Sequence, residues 1–438
     1  MNYSIKSSFA RWVFVLFIVV LALTILGRVV VITGAIAYCN EFPFCVPSHP
    51  LGWLKQAHIF LVGVACVLMF FVLRKAWREQ RHQSVILSLT TILGVMFFGQ
   101  VLVGAMQVTQ AYPPHLVFLH TLTTIALWVS LFLLVYTSGV LAVDNKTAMN
   151  LDKRQRIKDF IALSKPWIVG LLLITTYGGL VIGGKAWPSF SLTFWTLIGG
   201  ALAAGGSSAL NQYIDRELDK NMQRTAKRPL ADGRLTNAEG LAFGLGLSLA
   251  SYYVFACFVN GLAALLSLTG IIYYVILYSL WLKKATVQNI VIGGGAGAIP
   301  PMVGYAAATG HLDWTAWILF AIIFMWTPPH FWALAIVRMK DYERAGVPML
   351  PVVRGELETR KQIFIYTLEL IAVTLLLPIL ELAGDFYLIA SLILGGALIY
   401  AAWAVWKQGG NKVAWRMYKW SSTYLVFIFL AIMIDAVL

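Results

Sequence analysis

Charged residues are scarce in this chain. Asp, Glu, Lys and Arg make up 12% of its 438 residues, whereas hydrophobic residues make up 60%. Soluble domains carry roughly 25% charged residues, and the mean hydropathy here is +0.78. The composition therefore excludes an ordinary soluble domain and predicts an all-α polytopic membrane protein embedded in the lipid bilayer.

Acidic residues are fewer than basic ones, 19 against 33, which gives a net charge of +14. We predict 13 apolar segments of about 20 residues, long enough to cross a bilayer. With the N-terminus inside, 30 of the 33 Lys and Arg residues fall on the inner side. This asymmetry predicts an N-in, C-out protein of the cell (inner) membrane, and no nucleic-acid partner.

Cysteine is also rare, with four residues in all. Cys66 and Cys257 lie in apolar spans and are typical packing residues. Cys39 and Cys45 share the first outer loop, on an oxidising side, so a disulfide is predicted between them. Two free loop cysteines are the alternative.

One polar, charged stretch divides the spans into two groups. We predict a four-span module at 1–145, a cytoplasmic linker at 146–160 and a nine-span module at 161–438. The second module has Gly- and Pro-rich segments at membrane depth, such as 293–301 and 326–332. Irregular backbone is tolerated there only beside protein or a cavity, so both segments are expected to line a cavity.

A cluster of metal-capable side chains recurs at four-residue spacing at the end of the predicted span 191–214. Asn211, Asp215 and Asp219 would stack on one helix face. Carboxylates hold Mg²⁺ through one or two ligands and leave the rest of its shell to phosphate oxygens. The pattern predicts a Mg²⁺-diphosphate site facing the cytoplasm; a solvated polar helix end is the alternative.

Basic side chains follow the cluster and suit the remaining phosphate charge. These are Arg224, Lys227 and Arg228, with Lys165 and Lys283 as further candidates. A second acidic stretch, 338–348, lies on the same membrane face. Its Asp341 is expected to converge with the first cluster on the metal.

Four segments of the second module resemble the protoheme IX farnesyltransferase (heme o synthase) family of the UbiA prenyltransferase superfamily. They are 163–166 (LSKP), 211–230 (NQYIDRELDKNMQRTAKRPL), 282–310 and 326–355. The resemblance implies a nine-helix UbiA-type bundle. It also implies transfer of the farnesyl group of farnesyl diphosphate to a vinyl group of heme b, giving heme o and diphosphate.

The same resemblance places the family's first acidic motif on Asn211, Asp215 and Asp219 and its second on Asp341. Other superfamily members carry a further Asp four residues on, where this chain has Ala345. Aromatic residues such as Tyr213, Trp326, Phe331 and Trp332 are candidates to line the cavity and stabilise an allylic cation. His330 is a candidate heme contact, with a hydrogen bond to backbone as the alternative.

The first module resembles half of a heme A synthase. The matching features are 27–34, the loop holding the two outer cysteines, and the histidines that open two spans. The resemblance implies that His58 and His120 ligate a second heme, and a heme A synthase is a candidate partner. Lys55 stands where that family has Glu, which argues against oxidase chemistry; two interfacial histidines without heme are the alternative.

Two competing functions stay open at this point. One keeps the fold and changes the acceptor to a quinone precursor or another aromatic compound. The other is a transporter with the acidic face as a cation pathway, although the acidic groups lie at the span ends with a basic belt rather than at midplane.

Overall fold

The structure is a computed structural model that describes residues 7–38, 43, 46–143 and 152–438. The predicted Cys39–Cys45 pair lies outside these residues. The described part of the chain is helical and contains no strand, as the all-α prediction requires. The chain forms two compact units, one of Met1–Arg156 with Leu235–Ala250 and one of Ile157–Arg234 with Ser251–Leu438.

The first unit is built on four long helices and the first residues of a fifth helix, α8. Phe9, Val13 and Leu16 are buried where the first helix packs against its neighbours. The helices are α1 (Ser8–Ile32), α2 (Gly52–Glu79), α3 (Ser84–Thr109), α4 (Pro114–Leu141) and the start of α8 (Asn237–Phe258).

A buried carboxylate ties the start of α8 into this unit. Glu239 is fully buried and accepts hydrogen bonds from Arg81 Nε at 2.7 Å and Arg156 Nη2 at 2.5 Å. It also accepts from the backbone N–H of Thr236, and Thr236 Oγ1 accepts from the Glu239 backbone N–H, which is a capping box at the helix start. Two guanidinium groups and one amide therefore satisfy a charge that would otherwise be costly to bury.

The second unit holds the remaining helices. A π-helix, Tyr273–Leu282, follows α9 without a break. The elements are α5 (Lys153–Leu163), α6 (Pro166–Gly184), α7 (Phe190–Lys220), α9 (Gly261–Ile272), α10 (Lys283–Ala285), α11 (Asn289–Gly293), α12 (Gly295–Thr309), α13 (Trp314–Val337), α14 (Met339–Arg344), α15 (Leu350–Ile379), α16 (Asp385–Gln408) and α17 (Asn411–Asp435).

Twelve helices of the described residues are long and apolar enough to cross a membrane, which makes this a multi-pass membrane protein. One of the 13 predicted spans, 191–214, corresponds to α7 and is absent from these twelve. This helix has 31 residues, so it is long enough to cross, but it is not among the twelve because it is rich in Gly, Ser and polar residues. The count of 13 and the N-in orientation stay predictions.

We expected prolines to interrupt helices of the second unit, but the helices continue through them. Pro328 and Pro329 lie inside α13, which runs unbroken through the 326–332 segment, so the predicted interruption there is wrong. Transmembrane helices tolerate proline because neighbouring helices and side chains satisfy freed backbone groups. In the Gly-rich segment α11 and α12 are separated only at Gly294, whose backbone stays helical (φ −57°, ψ −26°), and Pro300 and Pro301 lie inside α12.

Close helix packing explains some of the glycines beside that segment. A Cβ on Gly179 of α6 would stand 2.0 Å from the carbonyl oxygen of Pro301 in α12. A Cβ on Gly304 would stand 1.8 Å from that of Thr176. Only glycine allows the two backbones to approach this closely. The α6–α12 contact supports one wall of the cavity described next.

Candidate diphosphate site and cavity

A cavity of about 840 Å³ lies inside the second unit. This volume is towards the upper end of the roughly 300–1,000 Å³ found for ligand pockets. Most of its wall is apolar, which suits a hydrocarbon ligand. Representative lining residues are Ile168, Leu172, Ala203, Ile271, Ile299 and Val303.

One wall of the cavity is polar and carries the acidic face of α7. Asn211, Asp215 and Asp219 occur at every fourth position of this helix, so their side chains project from one face. All three are buried, with exposed fractions of 4%, 1% and 3%, and all three line the cavity. The helix thus presents the three side chains as the sequence pattern predicted.

The Asp215 carboxylate is paired through only one of its oxygens. Oδ2 accepts from Lys283 Nζ at 2.5 Å and from Asn211 Nδ2 at 2.8 Å. Asn211 Nδ2 also donates to Ser279 Oγ at 3.1 Å. Asp215 Oδ1 is buried and has no hydrogen-bond partner among the described residues. A buried carboxylate oxygen without a partner is costly, so this atom is available to a cation.

The Asp219 carboxylate organises the basic loop that follows α7. Arg228 Nη1 donates to both of its oxygens, at 2.8 and 2.7 Å. The Asp219 backbone carbonyl accepts from Thr225 Oγ1 at 3.1 Å. These bonds fold the loop back onto the end of α7 and place Arg228 at the cavity.

Lys165 reaches the same wall from the residue just before α6. Its backbone is left-handed, with φ at +48°, although it precedes Pro166, and Nζ donates to Asn211 Oδ1 at 3.3 Å. Burial, with Arg228 and Lys283 nearby, lowers the pKa of Lys165 to about 7, against the opposite effect of the two aspartates. A strained backbone and a buried amine are typical of a functional position.

Arg224 and Lys227 complete the basic set at the cavity. Both are exposed, and neither forms an ion pair with any residue that the structure describes. In total, six basic side chains and two carboxylates line the cavity. The wall therefore carries a positive excess that suits a polyanion such as a diphosphate.

The donor set fits a magnesium ion held jointly with a ligand. Within the described ranges, no three His, Cys, Asp or Glu side chains come close enough to form a metal centre alone. Mg²⁺ needs only one or two carboxylates when phosphate oxygens supply other positions. Asp215, with its free Oδ1, and Asp219, with Asn211 beside them, meet that requirement.

Asp341 stands apart from this arrangement. It lies in α14, is half-buried and is not among the described residues that line the cavity. Its neighbour Tyr342 is a lining residue. Burial raises the pKa of Tyr342, with Arg224 acting in the opposite direction and Asp341 in the same one. The tyrosine hydroxyl is therefore a neutral donor at this wall.

The predicted aromatic residues divide into two groups. Trp326 and Phe331 line the cavity. Tyr213 and Trp332 are not among its described lining residues: Tyr213 stacks under Arg216 at 4.6 Å, and Trp332 packs in the core against Tyr366.

His330 is a lining residue held by three neighbours. Its Nδ1 lies 2.7 Å from Ser421 Oγ, and its ring stacks between Trp326 at 4.2 Å and Tyr418 at 4.5 Å. Ser421 Oγ donates to the Tyr418 carbonyl, so Nδ1–H is the donor to Ser421 and Nε2 keeps a lone pair. The Tyr418 backbone is a second hydrogen-bond partner of His330, so the contact with backbone that was the predicted alternative is present, and the heme contact stays a prediction.

Several residues of the site were not predicted. Tyr274 and Tyr278 line the cavity, and Ser279 touches Asn211. Arg234 donates to Asp159 in α5 at 3.0 Å and to the Lys227 carbonyl at 3.0 Å, which braces the basic loop. The tyrosine pair has helical spacing and was detectable, but the Arg234–Asp159 pair joins residues 75 positions apart and was not.

The first unit holds a separate pair of histidines. His58 Nδ1 and His120 Nδ1 are both buried and have no hydrogen-bond partner in the described part of the chain. Each ring lies against a glycine: a Cβ on Gly27 would stand 2.9 Å from His58 Cε1, and one on Gly104 would stand 3.2 Å from His120 Cε1. Two unsatisfied imidazole nitrogens fit metal or heme-iron ligation.

Comparison with known proteins places the fold in one class. The sequence model of the UbiA prenyltransferase family matches residues 172–423. A digeranylgeranylglyceryl phosphate synthase structure shares the fold, with a TM-score of 0.56 at 19% identity over 65% of this chain and 99% of that one. The chain belongs to the UbiA prenyltransferase family.

Within that family, the similar relatives share one description. A protoheme IX farnesyltransferase of Roseiflexus castenholzii is 41% identical over 424 residues, covering 92% of this chain and 79% of the relative. One of Symbiobacterium thermophilum is 48% identical over 287 residues, covering 65% of this chain and 96% of the relative. These matches confirm the farnesyltransferase resemblance; the heme A synthase resemblance of the first module stays a prediction.

Proposed function

We propose that this protein transfers the farnesyl group of farnesyl diphosphate to a vinyl group of protoheme IX, releasing diphosphate and giving heme o. The observation that carries the proposal is a single cavity with an apolar body and one polar wall with six basic and two acidic side chains. An amphipathic allylic diphosphate fits both parts. The similarity to protoheme IX farnesyltransferases supports heme b as the acceptor.

The basic side chains bind and orient the diphosphate. Lys165, Lys283 and Arg228 surround the α7 face, and Arg224 and Lys227 are free to take further phosphate oxygens. Fixed positive charge near the bridging oxygen stabilises the charge that develops as the allylic C–O bond breaks. Mg²⁺, held by Asp215, Asp219 and Asn211 with Asp341 as the fourth predicted ligand, would supply additional charge neutralisation.

The apolar wall protects the other product of ionisation. An allylic cation reacts with water to give an alcohol, so the cavity must keep water from C1 until the terminal carbon of the acceptor vinyl group attacks it. The new C–C bond leaves the positive charge on the vinyl carbon next to the porphyrin ring, where one water molecule adds and loses a proton, which gives the hydroxyl group of the product. Trp326, Phe331 and Tyr274 line the cavity, where aromatic rings would stabilise a cation by cation–π attraction. His330, with its Nε2 lone pair, contacts the porphyrin in this proposal.

The first module is proposed to hold a second heme. The partnerless Nδ1 atoms of His58 and His120 support this role, and Lys55, in place of the glutamate of heme A synthases, argues against oxidase chemistry. In the proposed domain arrangement, 1–145 is the heme-holding module, 146–160 the linker and 161–438 the transferase. The diphosphate site faces the cytoplasm of the inner membrane, and a heme A synthase receives the product.

The proposal is tested by measuring diphosphate release from farnesyl diphosphate by purified protein. Release that needs both heme b and Mg²⁺ is expected. Release with a quinone precursor but not with heme b would replace the acceptor. Transport of a cation without diphosphate release would contradict the enzyme assignment altogether.

A further inference from the structure

The π-helix Tyr273–Leu282 is the least regular element of the transmembrane region. It continues α9 and leads into α10, so the span Gly261–Ala285 changes its helical pitch midway. π-Helices are rare, are usually a single turn and occur often at functional sites. This one is ten residues long.

The change of pitch decides which side chains share a face. An α-helix turns about 100° per residue, so Tyr274 and Lys283 would point about 180° apart. A π-helix, closed by i→i+5 hydrogen bonds, turns about 80° per residue and brings the two within about 20°. Tyr278 and Ser279 then flank that direction on either side.

Exposure of the opposite side agrees with this geometry. Ile276, Leu280 and Trp281 are 50%, 54% and 71% exposed. In a π-helix all three lie on the side away from Tyr274. In an α-helix, Trp281 would fall within about 20° of Tyr274 and would point into the cavity.

The inward face makes the contacts that shape the diphosphate site. Ser279, 1% exposed, accepts from Asn211 Nδ2 at 3.1 Å and donates to the Tyr274 carbonyl, five residues back, at 2.9 Å. Lys283 Nζ lies 2.5 Å from Asp215 Oδ2. One face of one helix therefore contacts both Asn211 and Asp215.

We propose that the π-helix sets the register of the diphosphate site and that Ser279 is a positioning residue that orients Asn211. Its extra residues per turn align Ser279 with Lys283 opposite the acidic face of α7. The assignment of this wall as a diphosphate site rests on the proposed function. The alignment of Ser279 and Lys283 with α7 is tested by binding of Mg²⁺ and inorganic diphosphate, which needs no acceptor.

The first test removes two residues from the exposed side, Ile276 and Leu280. Seven positions then separate Tyr274 from Lys283, and an α-helix of that length restores their alignment to within about 20°. We expect the deletion variant to bind Mg²⁺-diphosphate within about threefold of wild type by titration calorimetry. A matched deletion of the exposed Leu265 and Leu268 in α9 turns the helix by about 160° and should abolish binding. A folded first variant that has lost binding about tenfold or more would overturn the proposal.

The second test does not depend on a deletion folding. Ser279→Ala removes one neutral hydrogen bond, so diphosphate binding should weaken about three- to tenfold. The KM for farnesyl diphosphate should rise by about the same factor. The KM for heme b should stay the same. Ser391→Ala is the control and should change neither, because Ser391 is fully buried and, among the described residues, its hydroxyl bonds only within α16. Unchanged diphosphate binding in Ser279→Ala would overturn the positioning role.

The two proposals fail in different ways. If wild-type protein binds Mg²⁺-diphosphate but does not farnesylate heme b, the acceptor assignment is wrong and the register proposal is unaffected. If wild-type protein farnesylates heme b and Ser279→Ala binds Mg²⁺-diphosphate as wild type does, the positioning role of Ser279 is wrong and the proposed function is unaffected.

Discussion

Asp215→Asn should affect stability and activity through different partners. The Asp215 carboxylate is 1% exposed, and its Oδ2 atom pairs with Lys283, whose side chain is 15% exposed. Removing one member of a buried pair typically costs about 3–5 kcal/mol, because the other charge stays buried and unpaired. Since Lys283 keeps some contact with solvent, we expect the lower value, about 3 kcal/mol.

Activity should fall for a different reason. An amide at this position does not replace a carboxylate as a cation ligand, so farnesyl transfer should drop by at least about 100-fold. The double variant Asp215→Asn/Lys283→Met separates the two effects. It removes both charges, so most of the lost stability should return, while activity stays lost.

Unfolding in mixed micelles and turnover at saturating Mg²⁺ measure the two quantities. Glu217→Gln is the control, because Glu217 lies on the same helix but pairs only at the surface with Lys220 and Arg216. Exposed pairs contribute about 0–1 kcal/mol. Retained turnover in Asp215→Asn would contradict the cation-ligand role, and a double variant as unstable as the single one would contradict the role assigned to the buried pair.

Three further predictions concern other parts of the chain. Glu239→Ala leaves the half-buried Arg81 without its carboxylate, so the free energy of unfolding should fall by about 3 kcal/mol, the lower end of the range for buried pairs; an unchanged denaturation midpoint would contradict this. His58→Ala combined with His120→Ala should remove a bis-histidine heme spectrum from heme-loaded full-length protein, and an unaltered spectrum would exclude both as ligands. Burial raises the pKa of Asp313, but bonds from the Tyr305 hydroxyl and the first amides of α13 lower it overall. Its contribution to stability is therefore present near neutral pH and lost as the pH falls below the ordinary Asp pKa, and Asp313→Asn should flatten that part of the stability–pH curve.

The acidic face of α7 was predictable because its signal is local. Four-residue spacing on a helix fixes a shared face whatever the rest of the chain does, so the residue pattern alone was enough to group Asn211, Asp215 and Asp219. The basic loop was predictable because it directly follows the acidic face of α7 in the sequence. The braces of that loop, such as Arg234 with Asp159, depend on tertiary contacts over long separations and leave no local pattern.

The π-helix was not predictable from periodicity. Every helical-face argument from sequence assumes about 3.6 residues per turn, and under that assumption Ser279 and Lys283 do not share the face of Tyr274. The prolines of α13 led to a wrong prediction. Pro328 and Pro329 suggested a broken helix, but α13 is continuous because surrounding helices support its backbone.

The mass of the porphyrin product tests the proposed farnesyl transfer most directly. Purified protein is incubated with heme b, farnesyl diphosphate and Mg²⁺, and the extracted heme is analysed by mass spectrometry. We expect a gain of one hydroxyfarnesyl unit on heme, lost when a chelator removes the metal. Heme b recovered unmodified, while farnesyl diphosphate is consumed on another aromatic acceptor, would contradict the assignment.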